Sequence, residues 1–346
     1  MADGTEAWTV LRLITWTKEY LARAKVEDPR LCGEMLLAHV LGCPRLGLYT
    51  KFDLTPPPAQ LQVFRDLIKR AGAGEPVAYL TGQREFYSLS FKVTPDVLIP
   101  RPETELLVDV ALQAAKKIDG PAKLWDVCTG SGCVAIAAAH YAANLRVLAT
   151  DISEQALAVA AHNVATHKLA ERVTLAQGGL LNLTDEIQPG KTVAPTSAAS
   201  TGAATVGGAS TGAASMGGAS MGAVAAASSG HADAPKPCPA QEWQQVHIIT
   251  ANPPYVSDAE MKALPKVVQA EPELALRAGP RGLDVIEKLI AQAPSHLVAG
   301  GTLAIEMGAG QASAVFDLLK AGPFEDIRIL KDAAGIERTA VAVRTG

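Results

Sequence analysis

The sequence has no cysteine pair at CxxC spacing, no GxGxxG, no uninterrupted apolar run near the roughly 20 residues that cross a bilayer, and no excess of basic charge. Each absence removes a class. The five cysteines, Cys32, Cys43, Cys128, Cys133 and Cys238, are scattered, which argues against a structural zinc site and for reduced thiols in a cytoplasmic protein. The N-terminus, MADGTEAWTV, lacks a basic stretch followed by an apolar one, so neither a secretory signal nor a membrane span is expected. A formal charge of −4 supplies no general attraction to phosphate backbones, and direct nucleic-acid binding is not expected. The seven histidines are dispersed, with no metal cluster and no Ser, Cys and His constellation for nucleophilic catalysis.

What is present divides the chain. With 346 residues and 48% hydrophobic content a sizeable core is available, although much of that fraction is alanine in one biased segment. AWTVLRLITWTKEYLARA, PRLCGEMLLAHVLG and PPPAQLQVFRDLIKRAG carry apolar residues three and four apart and predict a small helical domain over residues 1–83. Short aromatic and β-branched stretches over 84–103 predict a hairpin and connector. From 104 to 346 the pattern alternates helix and strand: AKLWDV, RVLATDI, RVTLAQ, VHIITANPPYV and GTLAIEMG are separated by amphipathic helices, and DIRILKD and RTAVAVRT close the chain as a hairpin. Helices between strands imply parallel crossovers, hence a doubly wound, mainly parallel α/β sheet of seven strands. The Ala, Gly and Ser-rich insert at about 191–240 contains a near-repeat, STGAATVGGA then STGAASMGGA. Such small residues bury too little surface to offset ordering entropy, so a flexible, protease-sensitive loop is expected there. Two copies are too few for a solenoid; a partner-binding tether is the other alternative.

Two motifs carry chemistry. In LWDVCTGSGCVAIAAA, Asp126 ends a strand and Gly130 and Gly132 fall in the turn before a helix, where backbone amides can approach a ligand closely. Asp151, in VLATDIS, ends the next strand, where a carboxylate can accept from both ribose hydroxyls. A dinucleotide site would want three glycines, whereas this shorter turn suits a ligand without pyrophosphate, such as S-adenosylmethionine. The bland alternative is a tight turn and an Asp151 that caps the following helix.

The second motif is NPPY. Asn252 follows the fourth strand, on the sheet edge where open α/β sheets bind ligands. Pro253 and Pro254 have fixed φ angles and no amide donors, leaving carbonyls free to accept. The Asn252 oxygen and the Pro253 carbonyl together can grip a planar NH2 group, and the Tyr255 ring can cover its flat face. Holding both protons aims the nitrogen at an electrophilic methyl. The motif alone does not distinguish a glutamine amide from the amino group of adenine, and an ordinary asparagine-proline turn is the alternative for NP by itself.

DVCTGSGCVAIA, ATDIS, ANPPYV, LIPRPETELLVD and EPELALRAGPRGLDVIEKLI together resemble the bacterial peptide chain release factor glutamine methyltransferase family. The resemblance spans about residues 8–345 apart from the insert. It implies a methyltransferase sheet, S-adenosylmethionine as cofactor, and methylation of the GGQ glutamine of class 1 release factors, with the helical domain gripping the partner. It further implies cofactor contacts from Cys128, Thr129, Gly130, Ser131, Gly132, Asp151, Gly179, Leu180 and Asn252, a site wall from Arg101 to Glu105, and glutamine held by Asn252, Pro253, Pro254 and Tyr255. Two positions depart from the family pattern: Cys128 stands where glycine is usual and Gly179 where aspartate is usual. Those departures bear on cofactor affinity. A glutamine methyltransferase acting on a ribosomal protein, an adenine amino-methyltransferase and a noncatalytic protein of the same fold are the alternatives.

Overall fold

A computed structural model describes residues 7–183 and 240–346. Four helices come first: α1 Val10–Arg23, α2 Pro29–Leu41, α3 Pro58–Gly72 and α4 Val77–Thr81. The Thr9 hydroxyl caps α1 by accepting from the Arg12 amide, and proline opens α2 and α3, where a missing amide leaves no bond unmade. The apolar stripes, among them Leu13, Leu21, Leu36, Phe64 and Ile68, meet in one buried core. Helix α4 is a short fourth helix within residues 1–83, beyond the three apolar-periodic segments of the sequence. Pro76 starts one more turn and Gly82, in a left-handed conformation, stops it. The hairpin itself is β1 Gln83–Phe86 and β2 Leu89–Lys92, paired antiparallel.

Then follow α5 Glu105–Ala115, β3 Ala122–Val127, α6 Cys133–Tyr141, β4 Leu145–Asp151, α7 Glu154–Thr166, β5 Val173–Gly179 and β6 Asn182–Leu183. The Ala, Gly and Ser-rich stretch at about 191–240, expected to be a protease-sensitive loop, lies outside the described residues apart from its last residue. The chain continues with β7 Val246–Ala251, the single turns α8 Asp258–Met261 and α9 Lys266–Gln269, α10 Asp284–His296, β8 Leu297–Glu306, α11 Ala312–Ala321, β9 Phe324–Lys331 and β10 Glu337–Arg344.

The sheet order is β6-β5-β4-β3-β7-β8-β10-β9. The five strands β5, β4, β3, β7 and β8 run parallel, and the closing hairpin of β9 and β10 is antiparallel. All seven expected strands are therefore present. The two-residue β6 is an addition: it folds back antiparallel on β5, pairing Gly178 with Leu183 and Gly179 with Asn182.

Both faces of the sheet are covered, and successive residues of β3 show it. Leu124 packs on one side with Leu107 and Ala111 of α5, while Trp125 packs on the other with Ile286 and Leu289 of α10. Strands buried on both faces read as nearly continuous apolar runs, as AKLWDV does. From β3 the chain first winds outward through β4 and β5, then returns to place β7 on the other side of β3. The carboxyl ends of β3 and β7 flank this switch point, where a crevice opens.

Candidate active site

A cavity of about 270 Å³ occupies that crevice. Its inner end is built on Asp126, the last but one residue of β3. The side chain is buried: Thr129 Oγ1 donates to Oδ2 at 2.6 Å and Thr250 Oγ1, from β7, donates to Oδ1 at 2.8 Å. Burial pushes the carboxyl up to about 6, against these two hydroxyls and the Ala135 amide at the start of α6. Asp126 thus ties the two strands at the switch point to the glycine turn.

The turn runs Cys128 to Gly132, with Cys128, Gly130 and Gly132 all at positive φ (57°, 54° and 80°). Cys128 accordingly holds a backbone conformation that glycine adopts more easily. The two glycines do different things. A Cβ on Gly130 would meet open space, and Gly130 lines the cavity. A Cβ on Gly132 would sit 3.1 Å from Ile136 Cδ1 and 3.3 Å from Ala160 Cβ, so this glycine lets α6 pack on α7 and is not part of the cavity wall.

Asp151, at the end of β4, accepts from the Gly130 amide on Oδ2 at 2.9 Å and from the Ser153 amide on Oδ1 at 3.0 Å. Burial raises its carboxyl above the ordinary value, with those amides pulling the other way. The cap of α7 is Ser153, whose hydroxyl accepts from Ala156. A carboxylate has about four lone-pair sites, so Asp151 keeps acceptor capacity on the cavity side after its two backbone bonds. Gly178, Gly179 and Leu180 add the far wall, with Leu180 at φ 57°.

At the opposite end stands NPPY. Asn252 Nδ2 donates to Thr104 Oγ1 at 3.2 Å, which turns Oδ1 away as a free acceptor. Among the described residues no donor is bound to the Pro253 carbonyl. Thr104 is buried and reaches β7 from the short turn Pro102–Thr104 that precedes α5.

The cavity brings together Cys128, Thr129, Gly130, Ser131, Asp151, Gly179, Leu180, Asn252 and Pro254 from among the residues singled out in the sequence. It does not bring in Gly132, for the packing reason above, nor the Pro253 ring, which is buried. Three further placements correct the sequence expectation. The Glu105 carboxylate points away and accepts from the Tyr87 amide at 2.8 Å, because one step along a helical turn swings a side chain by about 100°. Arg101 forms an ion pair with the buried Glu271, whose Oε2 also accepts from the Ile99 amide at 3.1 Å. That pair fastens the Ile99–Pro100 wall to the Pro272–Ala275 wall without offering either charge to the cavity. The Tyr255 ring lies outside the cavity wall, and its hydroxyl donates to Glu306 Oε1 at 3.3 Å.

Glu306 and Asn163 were not foreseen, and Thr104 entered only as part of the expected wall from Arg101 to Glu105, where it does line the cavity. Asn163 of α7 donates to the Ser131 and Lys92 carbonyls and accepts from the Lys92 amide, keying the β1–β2 hairpin to the glycine turn. A signal existed for Glu306: it is the charged end of the apolar strand GTLAIE.

A doubly wound sheet carries a glycine turn after its first strand, an aspartate with spare lone pairs after its second and Asn252 after its fourth, and it is a methyltransferase sheet. A family model described as the PrmC N-terminal domain matches residues 12–82, and one described as ribosomal protein L11 methyltransferase (PrmA) matches residues 104–191, ending before Asn252. The release factor glutamine methyltransferase of Rhodopirellula baltica is 36% identical over 336 residues, 96% of this chain and 95% of its own. The Moorella thermoacetica protein of the same description is 36% identical over 325 residues, 94% of each chain, and that of Geobacter sulfurreducens 32% over 339 residues, 98% of each. The chain belongs to the release factor glutamine methyltransferase family. It is a protein-glutamine methyltransferase. No helix among the described residues is long and apolar enough to cross a membrane.

Proposed function

We propose that the chain transfers the methyl group of S-adenosylmethionine to the side-chain amide nitrogen of the GGQ glutamine in class 1 peptide chain release factors, in the cytoplasm. The residues present fit that cofactor. Asp151 offers its remaining lone pairs to the ribose hydroxyls, Gly130 leaves room for close backbone approach, and Leu180 with Gly179 gives an apolar wall for the adenine. Asp126 and Asp151 place carboxylates near the cationic end. When bound, S-adenosylmethionine supplies a methyl carbon made electrophilic by its sulfonium.

The observation that carries the acceptor assignment is Asn252, held by buried Thr104 at the end of β7 and facing the same cavity as Gly130 and Asp151. Asn252 Oδ1 and the Pro253 carbonyl each accept a hydrogen bond from one N–H of the glutamine NH2. The nitrogen lone pair is then directed into the cavity, and electron withdrawal through two N–H bonds offsets part of the amide delocalisation. Once methylated, the nitrogen would lose one of its two held protons to solvent from the side gripped by Asn252 and Pro253. Pro254 shapes the wall and Tyr255 braces the turn from behind. The helical domain of residues 1–83, with the connector 84–103, serves the partner, and the −4 charge favours a protein acceptor over nucleic acid.

Methyl-labelled cofactor distinguishes the outcomes. Label should pass to an intact release factor but not to one whose GGQ glutamine is alanine, nor to nucleic acid. Asn252→Ala should abolish transfer while leaving cofactor affinity within about twofold. Label on nucleic acid, or transfer surviving Asn252→Ala, would overturn the assignment.

A further inference from the structure

We infer that Glu306 is a positioning residue for methyl transfer, holding the glutamine grip from behind through Thr104 on one side and Tyr255 on the other. The inference rests on the acceptor role proposed for Asn252. Glu306 is fully buried at the carboxyl end of β8, beside the end of β7. Its Oε1 accepts from the Tyr255 hydroxyl, and its Oε2 completes no hydrogen bond among the described residues. The Thr104 hydroxyl favours the charged form of the same carboxyl. The Thr104 oxygen already accepts from Asn252 Nδ2, so its own proton is free to turn toward Glu306. The order is then carboxylate, hydroxyl, amide: each acceptor strengthens the donor ahead of it, and the end of the chain is Asn252 Oδ1, the atom that accepts from the substrate N–H. A carboxylate at Glu306 makes that oxygen a stronger acceptor; a neutral carboxyl does not.

The charged groups around Glu306 are few. Glu103, in the turn before α5, disfavours its ionisation, while Arg338 of β10 and the Tyr255 and Thr104 hydroxyls favour it. Burial outweighs them and pushes the carboxyl up to about 7. In the sheet Glu306 stands opposite Thr339 of β10.

The test is the pH dependence of transfer by wild type, Glu306→Gln, Thr104→Val and Thr104→Ser, together with the pH titration of the Asn252 side-chain amide followed by NMR. Expected results are kcat that rises with pH through about 7 in wild type and in Thr104→Ser, and a kcat lowered about tenfold with a flat profile in Glu306→Gln and Thr104→Val. That loss is smaller than the roughly 10²–10³ of removing a group that touches the reacting atoms. Cofactor affinity should be unchanged. The Asn252 amide resonance should titrate in wild type and cease to do so in Thr104→Val. An unchanged pH profile in Glu306→Gln, or an Asn252 resonance indifferent to pH in wild type, would overturn the inference. The NMR arm needs no acceptor protein, so it answers even if release factors prove not to be the substrate. Thr104→Val provides the kinetic answer if Glu306→Gln does not fold.

Discussion

Replacing Gly130 and Gly132 by alanine, one at a time, separates a ligand cradle from a packing contact two residues away. Both have positive φ, and a left-handed non-glycine residue costs about 1–2 kcal/mol. Gly132→Ala adds a methyl that meets Ile136 and Ala160 at 3.1 and 3.3 Å, an overpacking penalty of roughly 1–3 kcal/mol. Its total is about 2–5 kcal/mol, a fall in melting temperature on the order of 5–15 °C for a domain of this size. Gly130→Ala has only the backbone share, because its Cβ meets open space, but its methyl stands where the cofactor backbone contact is made, and affinity should fall about tenfold, or 1.4 kcal/mol. Thermal melting without ligand and calorimetric titration with S-adenosylmethionine measure the two separately. Equal destabilisation by both, or weaker cofactor binding in Gly132→Ala at an unchanged melting temperature, would refute the division of roles.

Gly179→Asp should bind cofactor at least about tenfold more tightly at little expense of stability, since the position has no positive φ and a Cβ there meets open space, and a charge-assisted hydrogen bond is worth about 1.5–3 kcal/mol; unchanged calorimetric affinity would count against the adenine wall. Glu271→Ala strands the Ile99 amide and unpairs Arg101, so urea denaturation should show a loss on the order of 3 kcal/mol. The Asp126 carboxyl lies near 6 when folded against an ordinary 3.8. The folded state then holds a proton that the unfolded state releases between about pH 4 and 6, so this group stabilises below that window and its contribution is lost as pH rises through it. Asp126→Asn should flatten that share of the pH dependence, on the order of 3 kcal/mol between the two ends, in denaturation curves at pH 4 and pH 7.

The centre of the sheet was readable because its strands are buried on both faces, as AKLWDV and VHIITA are. Asn252 was readable for the same reason, since a polar residue at the end of such a run must lie on the ligand edge. Strand β6 was not, because two residues carry no periodicity and their pairing depends on how the turn at Leu180 folds. The direction of Tyr255 was hidden too: an aromatic after two prolines is visible, but its partner Glu306 is 51 residues away, on a strand whose neighbour is set only by topology. Thr104 and Glu105 sit side by side in PETE, yet only the backbone turn decides that the first reaches Asn252 and the second reaches Tyr87. Gly130 and Gly132 look equivalent in TGSG and differ only in what surrounds them.

The two ends of the cavity differ in what substitution can take from them. The cofactor end is fastened by main-chain amides of Gly130 and Ser153 on one carboxylate, and a main-chain amide is supplied by every residue type except proline. Side chains around that end can therefore differ, as Cys128 on the turn and Gly179 at the end of β5 differ from the family pattern, and their effects on affinity should be gradual. On the proposed acceptor role, that end hangs on a single side-chain oxygen and a run of two prolines, so change there should be abrupt: this enzyme should be tunable from one side of its crevice and switched off from the other.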